Sequence, residues 1–306
     1  MSDSDGTRRV AGVSQPSVDD DARRRANRRG IRLMVASMAC FIANDSLVKF
    51  VSQALPAAQL IFLRGLMATV LVLMVVRATQ VPIEPRRLTG GWVALRAAID
   101  ALATMAYLVA LFQLPIANAT AINMATPLFI TLLAVGWLGA RVGMPRWLAT
   151  GAGFAGVLLV IQPRADGFNA YAWLCLAATF LHALRDLVTP RIARDVPSIG
   201  VTLATAVAVT VLAGALSLWQ GWAPVSAHQL ALLAAAAAFL AGGYHFVIRA
   251  TRIGELSVVA PFRYSGLLMA VALGWVVWGE VPNALAWAGI ALVIGAGLYL
   301  LRHERR

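Results

Sequence analysis

From Leu33 to its end the chain is a succession of apolar runs, separated by short segments carrying Arg, Pro or Gly. Each run is about 20 residues long, the length an α-helix needs to cross a bilayer. Ten are readable, near residues 33–51, 57–76, 92–112, 115–138, 146–162, 168–188, 199–219, 229–248, 256–279 and 282–301. With 60% of residues hydrophobic and only 13% charged, most of the chain must face lipid. Backbone groups in hydrocarbon need partners within their own segment, and these runs lack the alternating pattern of a lipid-facing barrel. The expectation is an all-α membrane protein with ten transmembrane helices.

The net charge of +12 reads as topology and not as affinity for nucleic acid. Of 26 basic residues all but Lys49 are Arg, and with the amino end inside they fall on alternate loops, as the positive-inside rule requires. The inner set begins with the amino-terminal tail (Arg8, Arg9, Arg23, Arg24, Arg25, Arg28, Arg29, Arg32). It continues through Arg77, Arg86, Arg87, Arg141, Arg146, Arg185, Arg191, Arg194, Arg249 and Arg252 to Arg302, Arg305 and Arg306. Outer faces hold Lys49 and Arg164, while Arg64, Arg96 and Arg263 lie within spans. Both termini are therefore expected in the cytoplasm. The preference for Arg over Lys, with abundant Ala, suggests a GC-rich bacterial gene and hence the cell inner membrane.

Residues 1–30 are polar and hold no apolar core, so they are expected to form a disordered basic tail near the anionic inner leaflet. Cys40 and Cys175 fall inside spans as small apolar residues, and no disulfide is implied. GAGFAG, Gly151 to Gly156, has the glycine spacing of a dinucleotide-binding loop but sits within an apolar span with no strand before it. There, small residues let helices approach closely. The histidines at 182, 228, 245 and 303 are scattered, so neither a metal nor a cofactor is expected.

The second half resembles the first. A shift of 140 residues sets Leu47-Val48 on Leu187-Val188, Leu133 on Leu273, Gly139 on Gly279, Trp147 on Trp287 and Leu158 on Leu298. Five spans in each half is an odd number, so the second copy must be inserted upside down. The predicted architecture is a 5+5 inverted repeat, residues 31–163 and 168–302, around a central cavity.

Four segments carry a resemblance to a known family: NDSLVKF late in the first span, LIFLRG early in the second, LPIANATAINMATPLF entering the fourth, and SVVAPFRYSGLLMAVALGWVVWGE in the ninth. Over residues 31–302 the chain resembles the EamA branch of the drug/metabolite transporter superfamily. One departure is visible. The family often ends both the fourth and ninth spans with Gly-Glu, and here Gly139 is followed by Ala140 while Gly279 is followed by Glu280. The resemblance implies a five-plus-five inverted fold, a cavity lined mainly by spans one, three, four, six, eight and nine, and a carrier of amino acids, sugars, vitamins, nucleotide-like metabolites or drugs.

A charge at mid-span costs roughly 2.5–3.5 kcal/mol on insertion scales, so polar groups there should face a cavity or a partner. Asn44 and Asp45 are candidates for the solute path, and Lys49, one turn on, reads as a side chain reaching the outer interface. Asp100 lies about 12 Å beyond Trp92, as a cavity group or half of a buried ion pair, while Arg96 reads as interfacial. Arg263 beside Tyr264 offers a fork for a carboxylate or phosphate and a ring for stacking; the 140-residue shift sets Asn123 opposite Arg263. Tyr107 joins them as a solute contact. His182 reads either as a proton-responsive group or as a satisfied histidine, next to the loop-edge charges Arg185 and Asp186. Tyr244 and His245 end span eight as belt residues or solute contacts. Arg64 is expected in a structural pairing, and Glu280 at a solvated helix end.

These residues favour a secondary carrier of a small, planar or zwitterionic organic metabolite. The resemblance points to uptake of a vitamin such as riboflavin, with export of amino acids, drugs or S-adenosylmethionine-like metabolites still open. A membrane enzyme would need a convergent catalytic group at one interface, and none is found. Asp45, Asp100 and His182 are the candidates for coupling a proton; monomer and homodimer are both compatible with the sequence.

Overall fold

Apolar stretches punctuated by Pro and Gly fold as helices. The computed structural model describes residues 18–139, 143–162, 170–193 and 195–303. In chain order the helices are α1 (Val18–Val51), α2 (Ala57–Thr79), the short α3 (Pro85–Leu88), α4 (Gly91–Gln113), α5 (Ile116–Asn123), α6 (Thr126–Leu138) and α7 (Met144–Ile161). They continue as α8 (Ala170–Val188), α9 (Ser198–Gln220), α10 (Ala227–Ile253), the short α11 (Leu256–Val259), α12 (Ser265–Trp278) and α13 (Ala284–His303). Pro56, Pro115 and Pro197 each stand just before a helix start, where a missing N–H is no loss. Among the described residues nine helical spans are long and apolar enough to cross a membrane. The tenth run is α13, helical over 20 residues and apolar from Ala284 to Leu300.

Helix boundaries repeat along the chain. Ile116, Leu138 and Met144 begin or end helices, and Leu256, Trp278 and Ala284, each 140 residues on, do the same. Gly139 and Gly279 both close their helices in the left-handed conformation, at φ 64° and 67°, which a side chain would strain. Helix contacts follow the same pattern: α1 lies along α10, α4 along α8, α2 along α9, α7 along α13 and α5 against α12. Exchanging the halves turns the α1–α10 pair into α8–α4 and returns the α2–α9 and α7–α13 pairs to themselves.

The tail departs from expectation. α1 begins at Val18 rather than near residue 31. Ala and Arg, which make up most of residues 22–29, are strong helix formers and favour this extension. Asn27 Oδ1 then accepts the Glu255 backbone N–H at 2.8 Å, fixing this extension to the turn after α10. Residues 1–17 and the loop residues Arg141, Arg164, Arg194, Arg305 and Arg306 lie outside the described residues.

GAGFAG serves helix contact. A Cβ added to Gly156 would lie 2.7 Å from the Gly289 carbonyl oxygen and 2.8 Å from Leu292 Cβ, so α7 and α13 cross at glycines. Gly156→Val must push backbone apart and should cost about 1–3 kcal/mol, read as a lower unfolding midpoint in detergent. An unchanged midpoint would contradict this crossing.

Candidate functional site

Polar side chains on helix faces turned away from lipid find one another at three levels. The end carrying Arg77, Arg87 and Arg191 is called inner, and the opposite end outer, after the orientation that the charge rule leads one to expect.

The middle level begins on α1. Asp45 Oδ2 accepts from the Tyr107 hydroxyl of α4 at 2.9 Å, and its Oδ1 accepts from Asn44 Nδ2 at 2.9 Å. Asn44 Oδ1 in turn receives Nη1 of Arg64, on α2, at 3.3 Å. On the far side of Tyr107 lies the ring of His182, from α8, with centroids 6.1 Å apart. His182 Nδ1 is 2.9 Å from Asn123 Oδ1, on α5. A carbonyl oxygen can only accept, so Nδ1 is the donor in this bond. One polar string thus runs through α2, α1, α4, α8 and α5, crossing from one repeat into the other. Burying it is costly unless its members pair, and each has at least one partner within the string.

The inner level resolves Asp100 as half of a buried ion pair. Asp100, 5% exposed, receives Arg185 Nη1 at 2.7 Å and stands 3.7 Å from Arg96 Nη1. Arg185 Nε also donates to Asp186 at 2.9 Å, and Arg96 donates to Thr189 (3.1 Å) and Thr205 (2.8 Å). Arg185, expected at a loop edge, and Arg96, expected at the interface, therefore turn inward because a buried carboxylate needs counter-charge.

The outer level overturns two expectations. Lys49 does not reach for the interface: it is 6% exposed, donates to the Leu114 carbonyl (2.6 Å) and Glu280 (2.7 Å), and lies 5.0 Å from the Trp278 ring centroid. Glu280 is not a solvated helix end, since its other oxygen accepts the Ile116 N–H at 3.0 Å. The pair clamps α1 and the α4–α5 linker to the end of α12.

Tyr244, on α10, is 45% exposed, meets Phe41 edge-on at 5.2 Å, and lies within electrostatic reach of Asp100, Arg185, Arg96 and Arg64. It borders both the middle and inner levels. His245 projects about 100° away around the helix, is exposed, and meets the Phe246 ring at 5.8 Å. Arg263 is exposed on the 3₁₀ turn Ala260–Tyr264. Tyr264 is buried with its hydroxyl against Gly297 of α13, where the missing side chain leaves room. The structure thus gathers Asn44, Asp45, Tyr107, Asn123 and His182, brings Tyr244 within electrostatic reach of Asp100, and leaves His245, Arg263 and Tyr264 apart from the string. Arg64 was expected only in a structural pairing; its depth in an apolar span was the signal that it belongs to the centre.

Two shallow clefts lie elsewhere. One, about 120 Å³, is lined by Pro82–Glu84, Arg87, Leu88 and Asp195–Pro197; the other, about 270 Å³, by Val271, Ala272, Trp275 and Glu280–Pro282. Neither is lined by a member of the polar string. In the first cleft Glu84, and then Asp195, hold the exposed Arg87 guanidinium above its ordinary pKa by hydrogen bonding and charge.

Comparison with known proteins joins this geometry to a family. The sequence profile of the EamA-like transporter family matches residues 28–162 and again residues 169–302. A riboflavin transporter of Rhizobium johnstonii is 33% identical over 211 residues, 69% of this chain and 70% of that protein. A riboflavin transporter of Vibrio cholerae is 29% identical over 90% of this chain and 93% of its own length. A pseudopaline exporter of Pseudomonas aeruginosa is 28% identical over 90% of this chain and 97% of that one.

Proposed function

The chain belongs to the EamA-like transporter family, and from that membership we propose that it carries a small organic metabolite across the cell inner membrane by alternating access. It is a multi-pass membrane transporter and not an enzyme. Both termini are cytoplasmic in this reading, and the two repeats are inserted in opposite orientations. The observation that carries it is the polar string, to which both repeats contribute: Arg64, Asn44, Asp45, Tyr107 and Asn123 from the first, His182 from the second. A site shared by two interchangeable halves can be opened to each side by exchanging their conformations. In this reading the Lys49–Glu280 pair, which ties α1 to the end of α12, is the contact that holds the outer side together.

Riboflavin uptake is the favoured assignment. Two relatives of that name support it, and so does the pairing of ring faces (Tyr107, His182, Tyr244) with amide and carboxylate groups suited to a planar heterocycle. Export of a zwitterionic metabolite is the second reading, favoured by the likeness to the pseudopaline exporter over 90% of the chain. Purified protein in liposomes should take up labelled riboflavin with saturation. Asp45→Asn, which keeps the shape but alters the bonds to Tyr107 and Asn44, should cut that flux about 10- to 100-fold, the range expected for one or two charge-assisted hydrogen bonds. Full flux through Asp45→Asn would remove the polar string from the solute path.

A further inference from the structure

Within the string, Arg64 is the member whose bonding is least complete. It is 4% exposed in a largely apolar span; among the described residues its side chain makes a single hydrogen bond, a long 3.3 Å contact to Asn44, and its buried Nε has no hydrogen-bond partner. A guanidinium offers five N–H groups in a fixed fork, and leaving them unmade inside a protein is unfavourable. The carboxylate of opposite charge, Asp45, is taken up by Tyr107 and Asn44.

Asn44 sits between the two charges and shows what they recognise. Its carbonyl oxygen faces Arg64 and its NH₂ faces Asp45, so one planar amide presents an acceptor to the cation and a donor to the anion, side by side. We infer that the Asn44 carboxamide holds the place of the solute, and that the carrier selects solutes presenting an acceptor beside a donor on one edge, bound between Arg64 and Asp45. This inference rests on the carrier reading above. Rotation of Asn44 out of the gap would expose a site in which Arg64 uses two N–H groups where it now uses one. The imide edge of a flavin ring has this pattern, and so does the carboxylate and ammonium of an amino acid. A quaternary cation or a plain dicarboxylate does not, and either would unbalance a site whose two charges now cancel.

The test uses the full-length protein in liposomes with labelled riboflavin and, in parallel, a labelled mixture of zwitterionic amino acids. Unlabelled N3-methylriboflavin, whose ring is intact but whose imide donor is blocked, should compete about 30-fold less well than riboflavin, and amino acid methyl esters should fall similarly behind the free acids, as expected for one charge-assisted hydrogen bond. Arg64→Gln should raise KM by a comparable factor with kcat little changed, and Arg64→Lys, which keeps the charge but not the fork, should fall between. Helicity and monodispersity of each variant establish that it is folded, and the blocked solutes test the site without any substitution. A blocked analogue competing as well as its parent, or folded Arg64→Gln showing the original KM, overturns the Arg64–Asp45 edge while leaving the carrier reading intact. No saturable flux of either solute class overturns the carrier reading, and this inference with it.

Discussion

Glu280→Ala should destabilise the protein by about 3–5 kcal/mol, the cost of leaving one partner of a buried ion pair alone. Lys49 then remains 6% exposed with its charge met by the Leu114 carbonyl and the Trp278 ring. Glu280→Ala also strips an acceptor from the Ile116 N–H. Thermal unfolding in detergent should show a large fall in midpoint for Glu280→Ala and for Lys49→Ala. The double variant Lys49→Met with Glu280→Gln removes both charges and keeps an acceptor for Ile116, and it should recover most of the loss. A double variant as destabilised as Glu280→Ala would show that leaving one charge without the other is not the source of the loss.

Asp100→Ala should cost a similar amount, about 3–5 kcal/mol, because it withdraws a buried carboxylate from two guanidinium groups. Arg185 keeps Asp186 as a partner, whereas Arg96 keeps, among the described residues, the neutral hydroxyls of Thr189 and Thr205. Asp100→Asn retains an acceptor of the same shape and should lose less than the alanine variant. Unfolding midpoints of the two variants decide the matter; equal, small shifts in both would mean that Asp100 is not the anchor joining α4 to α8.

How much of this was legible in the sequence depended on whether the signal was local. Helical spans were, because each apolar run and its bounding Pro or Gly state a local fact about solvent. So was the repeat, since the shift that pairs Gly139 with Gly279 also pairs helix ends such as Leu138 with Trp278. Partner identity was not. Asp45 and Lys49 stand four residues apart on α1, yet one bonds Tyr107 in the centre and the other Glu280 at the outer end. Spacing fixes a shared helix face but not which neighbour meets each turn of it. Arg185 sat near a loop and looked solvated, and only the position of α4 alongside α8 supplies Asp100 to it. The acid missing at Ala140 gains meaning the same way: its counterpart Glu280 holds a lysine 231 residues away in sequence, a contact that no local pattern encodes.

Counterflow is the most direct measurement of the central claim, that a single solute site between two repeats is exposed to each side in turn. Liposomes holding the purified protein are loaded with unlabelled riboflavin and diluted into a trace of the labelled compound. An alternating carrier should accumulate label transiently above its outside concentration, and Asp45→Asn should abolish that overshoot. Label that rises only to equilibrium, unaccelerated by the loaded solute and untouched by Asp45→Asn, would contradict the account.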